Sequence, residues 1–563
     1  MKYNRFSIFI LCLVFLLQAC NEDKWLEEVP EDFFSPENSY SKPSDIDGSL
    51  AYIYGKVRAT FDGHSGRADI DLGTDLAMGG YSYETGAFGD YPANLTPTTG
   101  IVGTRWSEFY KMISNANAII GRIDEIPYDD EDKKMSDKAE AYFFRAWAYR
   151  GLAHLYGGVP LQLEELTTPK RDFERNSRAE VYEQVKTDLL FAVEYLPAIT
   201  EVEADGKLCK AAAYHLLSEI YLSLNDYDKA IEAASWVIDN PNYHLMDTRF
   251  GNKSNQPGDP YWDLFQMNNQ NRNSGNTEGI WVMQVEFDIP GGGGDKWNHQ
   301  SSYKFERYYT PLYWYMKDTE GKPAFIGPTT QNGGRGIGTV RGTTHFTHEI
   351  WEGDWNNDLR NNERNMMRDW VVDEPESVDY GKKISEILDQ LVAINGIDTM
   401  RWYYAFPTKL TTIGDHPVEV LGPQPEKIEQ GIMNSSSGNT FLDQYMMRLG
   451  ETYLLRAEAY LGKGNKLKAA EDINAIRNRA QASPVSEADV TLDYLLDERM
   501  RELNFEEHRR ITLARLGLVV ERTQKYNPYG GKTIENHNNL YPIPFGEIEK
   551  NTEAELEQNP GYN

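Results

Sequence analysis

The sequence is poor in positive charge and in long apolar runs. Its 57 Lys and Arg residues face 87 Asp and Glu residues, which gives a formal net charge of -30. A chain this acidic repels nucleic acid and anionic lipid surfaces, so neither is an expected partner, although solubility alone is a sufficient reason for the charge. After the N-terminal segment, no stretch approaches the length of apolar sequence that a membrane-spanning helix needs.

Cysteine is also scarce. Of the 3 cysteines, Cys12 and Cys20 fall in the N-terminal segment, which leaves only Cys209 in the part expected to fold. An internal disulfide is therefore not expected, even if the protein works in an oxidising compartment. Cys209 is predicted to be a small buried apolar side chain.

The common catalytic and metal-binding motifs are missing as well. The glycine run at 291–294 is followed by DKW and lacks the GK[ST] of a phosphate-binding loop, and no G-x-S-x-G elbow occurs. His345 and His348 lie in HFTHE, which is not a zinc-protease pattern and has no cysteine near it. The many acidic residues leave a paired-carboxylate glycoside hydrolase open, but nothing in the sequence singles out a pair.

The first residues predict a targeting segment. Lys2 and Arg5 precede an apolar run over 6–17 that is too short to span a bilayer. The run closes with Leu-Gln-Ala-Cys20, which resembles a bacterial lipobox, in which the cysteine becomes the lipid-bearing (palmitate-carrying) first residue of the mature chain. We therefore predict a signal peptide over 1–19, lipidation of Cys20 and a polar tether over 20–44, with the acyl chains as the only membrane attachment. An ordinary secretory signal with an incidental cysteine is the alternative.

Two stretches predict the same helix–turn–helix unit. In each, an aromatic residue is followed by a small residue, a tyrosine and, in the second helix, an alanine at equal offsets: Tyr214, Ser218, Tyr221 and Ala230 in one copy, and Tyr453, Ala457, Tyr460 and Ala469 in the other. This spacing is typical of tetratricopeptide repeats. A third copy around Tyr149 is only half complete, because it runs into Gly157 and Gly158. Since one such pair cannot bury its apolar face, the copies predict a single helical platform assembled from distant parts of the chain.

Residues 243–440 differ in character from their flanks. Glycine, asparagine and tryptophan become frequent, helical periodicity fades, and short alternating runs such as 280–285 predict strands. The predicted fold class is therefore mainly α, a tetratricopeptide-like helical-pair scaffold with a large irregular, loop-rich insertion that contains short strands. We divide the mature chain into an N-terminal helical scaffold (45–242), an insertion that carries the candidate ligand site (243–440), and a C-terminal helical pair with its ending (441–563).

The C-terminal part carries a family resemblance. Residues 498–506, ERMRELNFE, resemble the ER-x-R-E-L-x-F-E signature of the SusD/RagB family, and YPIP at 541–544 and QNPGY at 558–562 resemble that family's ending. Residues 145–160, RAWAYRGLAHLYGGVP, resemble its N-terminal helix and turn. Read from the residues alone, Glu498, Arg501 and Glu502 are spaced for ion pairs along a helix, so we place no ligand site there.

The resemblance implies a function. Members of this family are surface-exposed outer-membrane lipoproteins of Bacteroidetes that bind a glycan, without cleaving it, and deliver it to a SusC-like TonB-dependent transporter during polysaccharide utilisation. No cofactor is implied, and the acidic loop at 69–75 permits a structural calcium ion but does not require one. Sugars present flat C–H faces that stack on Tyr and Trp, and hydroxyls that bond to Asp, Asn and Arg.

Candidate ligand-binding residues come from the loop after the first helix and from the insertion, the regions from which this family builds its ligand face. Taken singly, each is more typical of a core or an ordinary surface. The stacking candidates are Tyr81, Tyr83, Trp297, Tyr303, Tyr309 and Trp314, the polar candidates are Asp75 and Arg341, and Trp351 and Trp355 are held in reserve.

Two other functions remain open at this point. A surface glycoside hydrolase would release reducing ends from a polysaccharide. A tetratricopeptide-type interaction scaffold would bind a peptide or a protein and no glycan. The sequence does not identify the glycan, nor does it decide between a sugar and a peptide as the ligand.

Overall fold

A computed structural model describes residues 40–62, 68–80, 88–289, 292–294, 304–395, 399–435 and 437–562. The predicted signal peptide, Cys20 and four of the candidate site residues lie outside these ranges; those four are Tyr81, Tyr83, Trp297 and Tyr303.

Helices dominate the described residues. The longer helices are α1 (Pro43–Asp62), α2 (Gly100–Arg122), α3 (Glu131–Tyr156), α4 (Arg178–Tyr195), α5 (Lys210–Ser223), α6 (Tyr227–Ile238), α7 (Ile384–Asn395), α8 (Leu449–Gly462), α9 (Lys466–Arg479), α10 (Leu492–Leu503), α11 (Arg509–Leu516) and α12 (Val519–Tyr526). Short helices cover Ala68–Asp71, Tyr91–Asn94, Pro260–Leu264, Phe305–Tyr309, Thr344–Thr347, Thr399–Trp402, Pro425–Glu429 and Phe545–Lys550. Within the described ranges, no helix combines the length and the apolarity needed to cross a membrane.

The strands are short and form two-stranded ribbons. They are β1 (Ala77–Gly79), β2 (Gly279–Met283), β3 (Glu286–Phe287), β4 (Gly293–Gly294), β5 (Val340–Gly342), β6 (Met366–Met367), β7 (Phe406–Pro407) and β8 (Gln444–Arg448). The pairs β1–β5, β2–β8 and β6–β7 are antiparallel, and β3–β4 is parallel. This arrangement confirms the predicted fold class of a helical scaffold with short strands in a loop-rich region.

The helices stack into one platform. Helices α2 to α6 each pack against the next, α6 packs against α8, and α8 packs against α9. The step from α6 to α8 joins the two predicted repeats across more than 200 residues, and Arg456 Nη1 on α8 donates to Ser235 Oγ on α6 at 3.0 Å. His215 Nδ1 on α5 lies 2.8 Å from Thr452 Oγ1 on α8. The predicted platform is confirmed, because each copy buries its apolar face against the other.

The half-complete third copy has a partner helix after all. Helix α3 packs against α4, which follows a connection over 157–177. Gly157 ends α3 with φ of 79°, and a Cβ on Gly158 would lie 2.3 Å from the carbonyl oxygen of Asn176. Only glycine fits both positions. Helix α4 then begins with a capping box between Ser177 and Glu180, which supplies hydrogen bonds that the first turn of a helix lacks.

The ending with the YPIP and QNPGY motifs folds back onto the end of α3. The backbone N–H of Tyr541 donates to Leu155 O at 2.6 Å. Asn559 Nδ2 donates to Tyr156 O at 2.9 Å and to Tyr541 O at 2.7 Å. Three separate stretches of the resemblance, the GGVP turn, YPIP and QNPGY, therefore meet at one place and serve the fold.

The insertion has its own small core and is anchored to the scaffold through β2. All of β2 is buried, and Trp281 on this strand packs edge-on against Trp147 of α3 at 5.4 Å. Helix α7 within the insertion was not predicted. Its apolar residues nevertheless keep helical spacing, and Ile384, Ile387 and Leu391 lie in the small core of the insertion.

Candidate functional site

The loop after the first helix meets the insertion in the β1–β5 ribbon. Met78 of β1 pairs with Arg341 of β5, and Thr343 Oγ1 donates to Asp75 O at 2.6 Å. A Cβ on Gly80 would lie 1.8 Å from the carbonyl oxygen of Gly338, so the two backbone segments approach each other as closely as glycine allows. The two regions from which we expected a ligand face are thus neighbours in space.

A cleft of about 570 Å³ opens beside this ribbon, within the size range of small-molecule sites. We call it the Trp355 cleft. The lining residues used below are Arg341, Thr347, His348, Trp355, Asn361, Arg368, Asp369 and Tyr403.

Trp355 is the exposed aromatic surface of this cleft. Its side chain is 38% exposed, and the guanidinium carbon of Arg368 lies 4.6 Å from its ring centroid. Arg368 is itself fixed, because Nη2 donates to Thr347 O at 2.9 Å and to Asn361 Oδ1 at 2.5 Å. Burial lowers the pKa of Arg368 to about 10, so it stays charged at neutral pH. The result is a fixed, partly exposed indole held by a cation–π contact.

Tyr403 and Asp369 form a polar pair in the same cleft. The Tyr403 hydroxyl donates to Asp369 Oδ1 at 3.4 Å, and Ser385 Oγ donates to Asp369 Oδ2 at 2.5 Å. Burial and then the nearby carboxylate raise the pKa of Tyr403, so its hydroxyl is protonated at neutral pH. With Trp355 and Arg341, the cleft offers aromatic surface, a cation and a carboxylate, which suits a ligand with flat apolar faces and many hydroxyls.

Of the two polar candidates, Arg341 lines this cleft. The position of Asp75 contradicts the prediction that it binds ligand. Asp75 is fully buried, and Arg509 Nη2 and Arg522 Nε donate to Asp75 Oδ2 at 2.6 and 2.7 Å. Burial would raise the pKa of Asp75, but the two guanidinium groups hold it well below its usual range. Its carboxylate ties the loop to α11 and α12 and is not available to a ligand. The acidic, glycine-rich loop looked like surface because its partners come more than 400 residues later.

The position of Tyr309 also contradicts the prediction that it binds ligand, and Trp314 lies outside the Trp355 cleft. Tyr309 is 2% exposed and its hydroxyl donates to Asp71 Oδ2 at 3.0 Å, so it is a core residue. Trp314 is half-buried, with Arg335 over its ring at 5.4 Å, and it is not among the residues that line the Trp355 cleft. Of the two reserves, Trp351 is buried and Trp355 is the residue that reaches the cleft.

Sequence reasoning missed Asn361, Arg368 and Tyr403. The only signal for Tyr403 was the aromatic run at 402–404, which resembles ordinary core sequence. Arg368 gave no signal at all, because its role depends on a stack with Trp355 that only the folded loop creates.

Several potential metal ligands in the described ranges have protein partners. No three His, Cys, Asp or Glu side chains there converge as a metal ion requires. His345 lies between two carboxylates, with Nδ1 2.9 Å from Glu349 and Nε2 2.9 Å from Asp497. In the acidic loop, Asp71 and Asp75 bond to Tyr309 and to arginines, as described above.

Family models match most of the described chain. A model of the SusD family matches residues 278–562, slightly more than half of the 563 residues, and a model described as starch-binding associating with outer membrane matches residues 72–222. The chain belongs to the SusD family, which confirms the resemblance found in its closing motifs.

Individual relatives match this chain along nearly their whole length. SusD-like protein P2 of Formosa agariphila is 25% identical over 584 residues, covering 99% of this chain and 100% of that protein. A solved laminarin binding SusD-like protein aligns with a TM-score of 0.66 at 22% identity, over 93% of this chain and 100% of its own. Surface glycan-binding protein A from Bacteroides thetaiotaomicron, solved in complex with laminarihexaose, aligns with a TM-score of 0.65 at 20% identity, over 92% of this chain and 100% of its own.

Proposed function

We propose that this protein binds an oligosaccharide or polysaccharide in the Trp355 cleft and delivers it, uncleaved, to a SusC-like TonB-dependent transporter in the outer membrane. Membership of the SusD family supports the role. The observation that carries it is the cleft itself, where the partly exposed indole of Trp355 lies beside Arg341 and Tyr403.

The chemistry of the cleft fits a sugar better than an apolar ligand. A pyranose stacks its C–H face on an indole, and its hydroxyls then bond to charged or polar groups at the ring edge. Charged groups make stronger hydrogen bonds than neutral ones, and Arg341, Arg368 and Asp369 supply them here. Two of the relatives named above are described as binding laminarin or its hexasaccharide, which places glucans first among the ligands to test.

The proposal includes a lipid anchor at Cys20 on the outer face of the outer membrane. Its support is the apolar run followed by Leu-Gln-Ala-Cys20. Incorporation of labelled palmitate into the wild-type protein, lost in Cys20→Ala, is the expected result. A soluble periplasmic wild-type protein would contradict this placement.

Binding is tested by affinity electrophoresis through gels that contain starch, laminarin, xylan, pectin or mucin. We expect one polysaccharide to retard the protein and Trp355→Ala to abolish the retardation. Tyr380→Ala is the matched control, because Tyr380 is a 61% exposed aromatic residue of the insertion outside the cleft. No retardation by any polysaccharide, or equal loss in both variants, would contradict the proposal.

Two further claims of the proposal, that the glycan is not cleaved and that the protein binds a transporter, are tested by separate measurements. We expect no new reducing ends when the protein is incubated with the polysaccharide that retards it, and their release would favour a glycoside hydrolase. We also expect the membrane-anchored protein to co-purify with the transporter from its native outer membrane. Co-purification without glycan binding would favour an interaction scaffold.

A further inference from the structure

The Trp355 cleft carries more cations than carboxylates, although the protein as a whole is strongly acidic. Its charged lining residues are the cations Arg341, Arg368 and Lys383 and the carboxylates Glu363 and Asp369. The whole chain, by contrast, has a formal net charge of -30. Because charges at physiological ionic strength are largely screened beyond about 8 Å, a bound group responds mainly to the charges of the cleft itself.

A cleft on the scaffold has the opposite character. It has a volume of about 490 Å³ and is lined by seven carboxylates, among them Asp137 and Glu140, and by only three lysines. The surplus of cations is therefore a property of the Trp355 cleft and not of clefts in this protein generally.

The negative charge of Asp369 is largely balanced within the protein. Ser385, the second residue of α7, donates its backbone N–H to Asp369 Oδ1 at 3.1 Å and its hydroxyl to Oδ2 at 2.5 Å. The backbone N–H of Trp370 donates to Oδ1 as well, at 2.9 Å. Asp369 therefore lies at the N-terminus of α7, where the helix dipole is positive and a carboxylate is stabilising.

The positive charge of Arg368 has no such balance. Its side chain donates to Thr347 O, Asn361 Oδ1 and Asn361 O, which are all neutral oxygens. Within the described ranges it forms no ion pair with a carboxylate, and the cause of its lowered pKa is burial. Because removing a charge from water is costly, partly buried charges are usually paired. The unbalanced cation lies against Trp355, at the aromatic surface of the cleft.

Lys383 adds a second cation that no carboxylate of the described residues pairs with. Its backbone is fixed, because it bridges to Val371 and because the N–H of the next residue, Ile384, donates to Trp370 O at 2.8 Å. Its side chain is exposed, and its ammonium makes no hydrogen bond or ion pair within the part of the chain that the structure describes. Lys383 also lies directly before α7, where a cation opposes the helix dipole. A bound anion would relieve that repulsion.

We propose that the glycan bound in the Trp355 cleft is acidic, with a carboxylate or sulfate group of the sugar beside Arg368 and Lys383. This rests on the proposed function and names the class of its ligand. Hydrogen bonds between a cationic donor and an anionic oxygen are about twice as strong as neutral ones. A neutral glucan offers only hydroxyls, so it would leave both cations without an anionic partner.

The gels of the binding test already separate the two classes, because starch and laminarin are neutral whereas pectin and mucin carry acidic groups. We expect an acidic polysaccharide to retard the protein, and starch and laminarin not to. The polysaccharide that retards it is then compared by titration calorimetry with two treated forms, one with its carboxylates methyl-esterified and one with its sulfate esters removed. Loss of the recognised group should lower the affinity about tenfold or more, so the effective treatment distinguishes carboxylate from sulfate. Affinity for the untreated form should fall as salt is added.

Lys383→Gln tests the cation itself. We expect this variant to bind the acidic polysaccharide about three- to tenfold more weakly and with less salt dependence, and to bind the neutralised form as the wild type does. Lys383→Arg keeps the charge and should retain the affinity. Lys382→Gln is the matched control, because Lys382 is the adjacent exposed lysine, pairs with Asp379 at 2.8 Å and does not line the cleft.

The outcomes separate this inference from the proposed function. If starch or laminarin retards the protein at least as strongly as the acidic polysaccharides do, and Trp355→Ala abolishes that retardation, the ligand is neutral and only this inference is wrong. If Lys382→Gln and Lys383→Gln weaken binding equally, the acidic polysaccharide is held by general surface charge and the inference is also wrong. If no polysaccharide retards the wild type, both the inference and the proposed function are wrong.

Discussion

The helical scaffold and the loop-rich insertion are stabilised in different ways. In the scaffold, regular helices bring small and aromatic residues into contact at spacings that the local sequence sets. In the insertion, short ribbons and turns replace long helices, and buried side-chain ion pairs connect it to the helices. The comparison shows that local patterns determine one region and distant partners determine the other.

Several of the buried ion pairs between the insertion and the helices meet at Arg448 of β8 and Glu502 of α10. Arg448 Nη1 donates to Glu278 at 2.7 Å and to Glu502 at 2.5 Å, and its Nε donates to Glu506 at 2.6 Å. Arg360 Nη1 donates to Glu502 at 2.9 Å. Of these, Glu278, Arg360, Arg448 and Glu502 are at most 2% exposed. Charges buried this deeply are tolerated only when each is paired several times over, so losing one partner should be costly.

The largest expected effect therefore comes from Arg448→Met. It leaves Glu278, Glu502 and Glu506 without their shared cation in a buried site, and we expect the free energy of unfolding to fall by about 3 to 5 kcal/mol. Guanidinium chloride unfolding followed by circular dichroism measures it. The matched control is Lys463→Met, which breaks an ion pair with Asp228 between side chains that are 42% and 79% exposed. Equal, small losses in both variants would show that the insertion is not held by its charges.

The second prediction tests whether the stability of the scaffold also depends on the charge of a buried side chain. His154 of α3 is fully buried, with Nδ1 2.8 Å from the Tyr182 hydroxyl and Nε2 2.8 Å from Glu219 Oε1. Arg150 and Arg178 also face it. Burial lowers the pKa of His154 to about 3, against about 6.5 in an unfolded chain.

Because the unfolded chain takes up this proton first, the stability that His154 contributes is complete above pH 6.5 and is lost as the pH falls towards 3. Between pH 7 and pH 5, the wild type should lose about 2 kcal/mol more stability than His154→Gln. Denaturant midpoints at pH 7, 6 and 5 measure the difference, and His244→Gln controls for removal of an exposed imidazole. Parallel curves for the wild type and His154→Gln would contradict the prediction.

The same contrast explains how far the sequence could predict this structure. Tyr214, Ser218 and Tyr221 predicted α5 and its partner because a helix brings residues three and four apart onto one face. No local rule pairs Arg448 with Glu278, which lies 170 residues earlier. Asp75 was misplaced for this reason, since its arginine partners lie more than 400 residues later in the chain.

The candidate site was predicted only in part, and for the same reason. The family resemblance located its two source regions, and the structure joins them through Met78 and Arg341. Trp355 was recognisable as a large aromatic residue in a loop, but its exposure was not. The sequence alone gave no reason to prefer it to Trp351, which is buried four residues earlier. Exposure depends on which side of a loop packs, and irregular backbone has no periodicity from which to read it.

The third prediction concerns packing between the two repeats. A Cβ on Gly462, at the end of α8, would lie 2.5 Å from the ring of Tyr227 on α6. Gly462→Ala should therefore separate the repeats and lower the free energy of unfolding by at least about 1 kcal/mol, although alanine is the better helix former. Chemical denaturation measures the loss. Recovery of stability in Gly462→Ala combined with Tyr227→Leu would show that the clash is the cause, and an unchanged midpoint in Gly462→Ala alone would contradict close packing here.

The smallest expected effect comes from another glycine-to-alanine substitution, at a position where the added Cβ meets no neighbouring atom. Gly121 lies in the last turn of α2, is exposed, and has no heavy atom within 4 Å of the place where a Cβ would lie. Gly121→Ala should raise the free energy of unfolding by about 0.5 to 1 kcal/mol, because alanine loses less backbone entropy on folding and meets no obstacle. Opposite signs for Gly462→Ala and Gly121→Ala, measured under one set of denaturation conditions, would show that scaffold stability follows from local helix preference wherever a neighbouring helix does not intervene. A loss of stability at Gly121 would contradict this account.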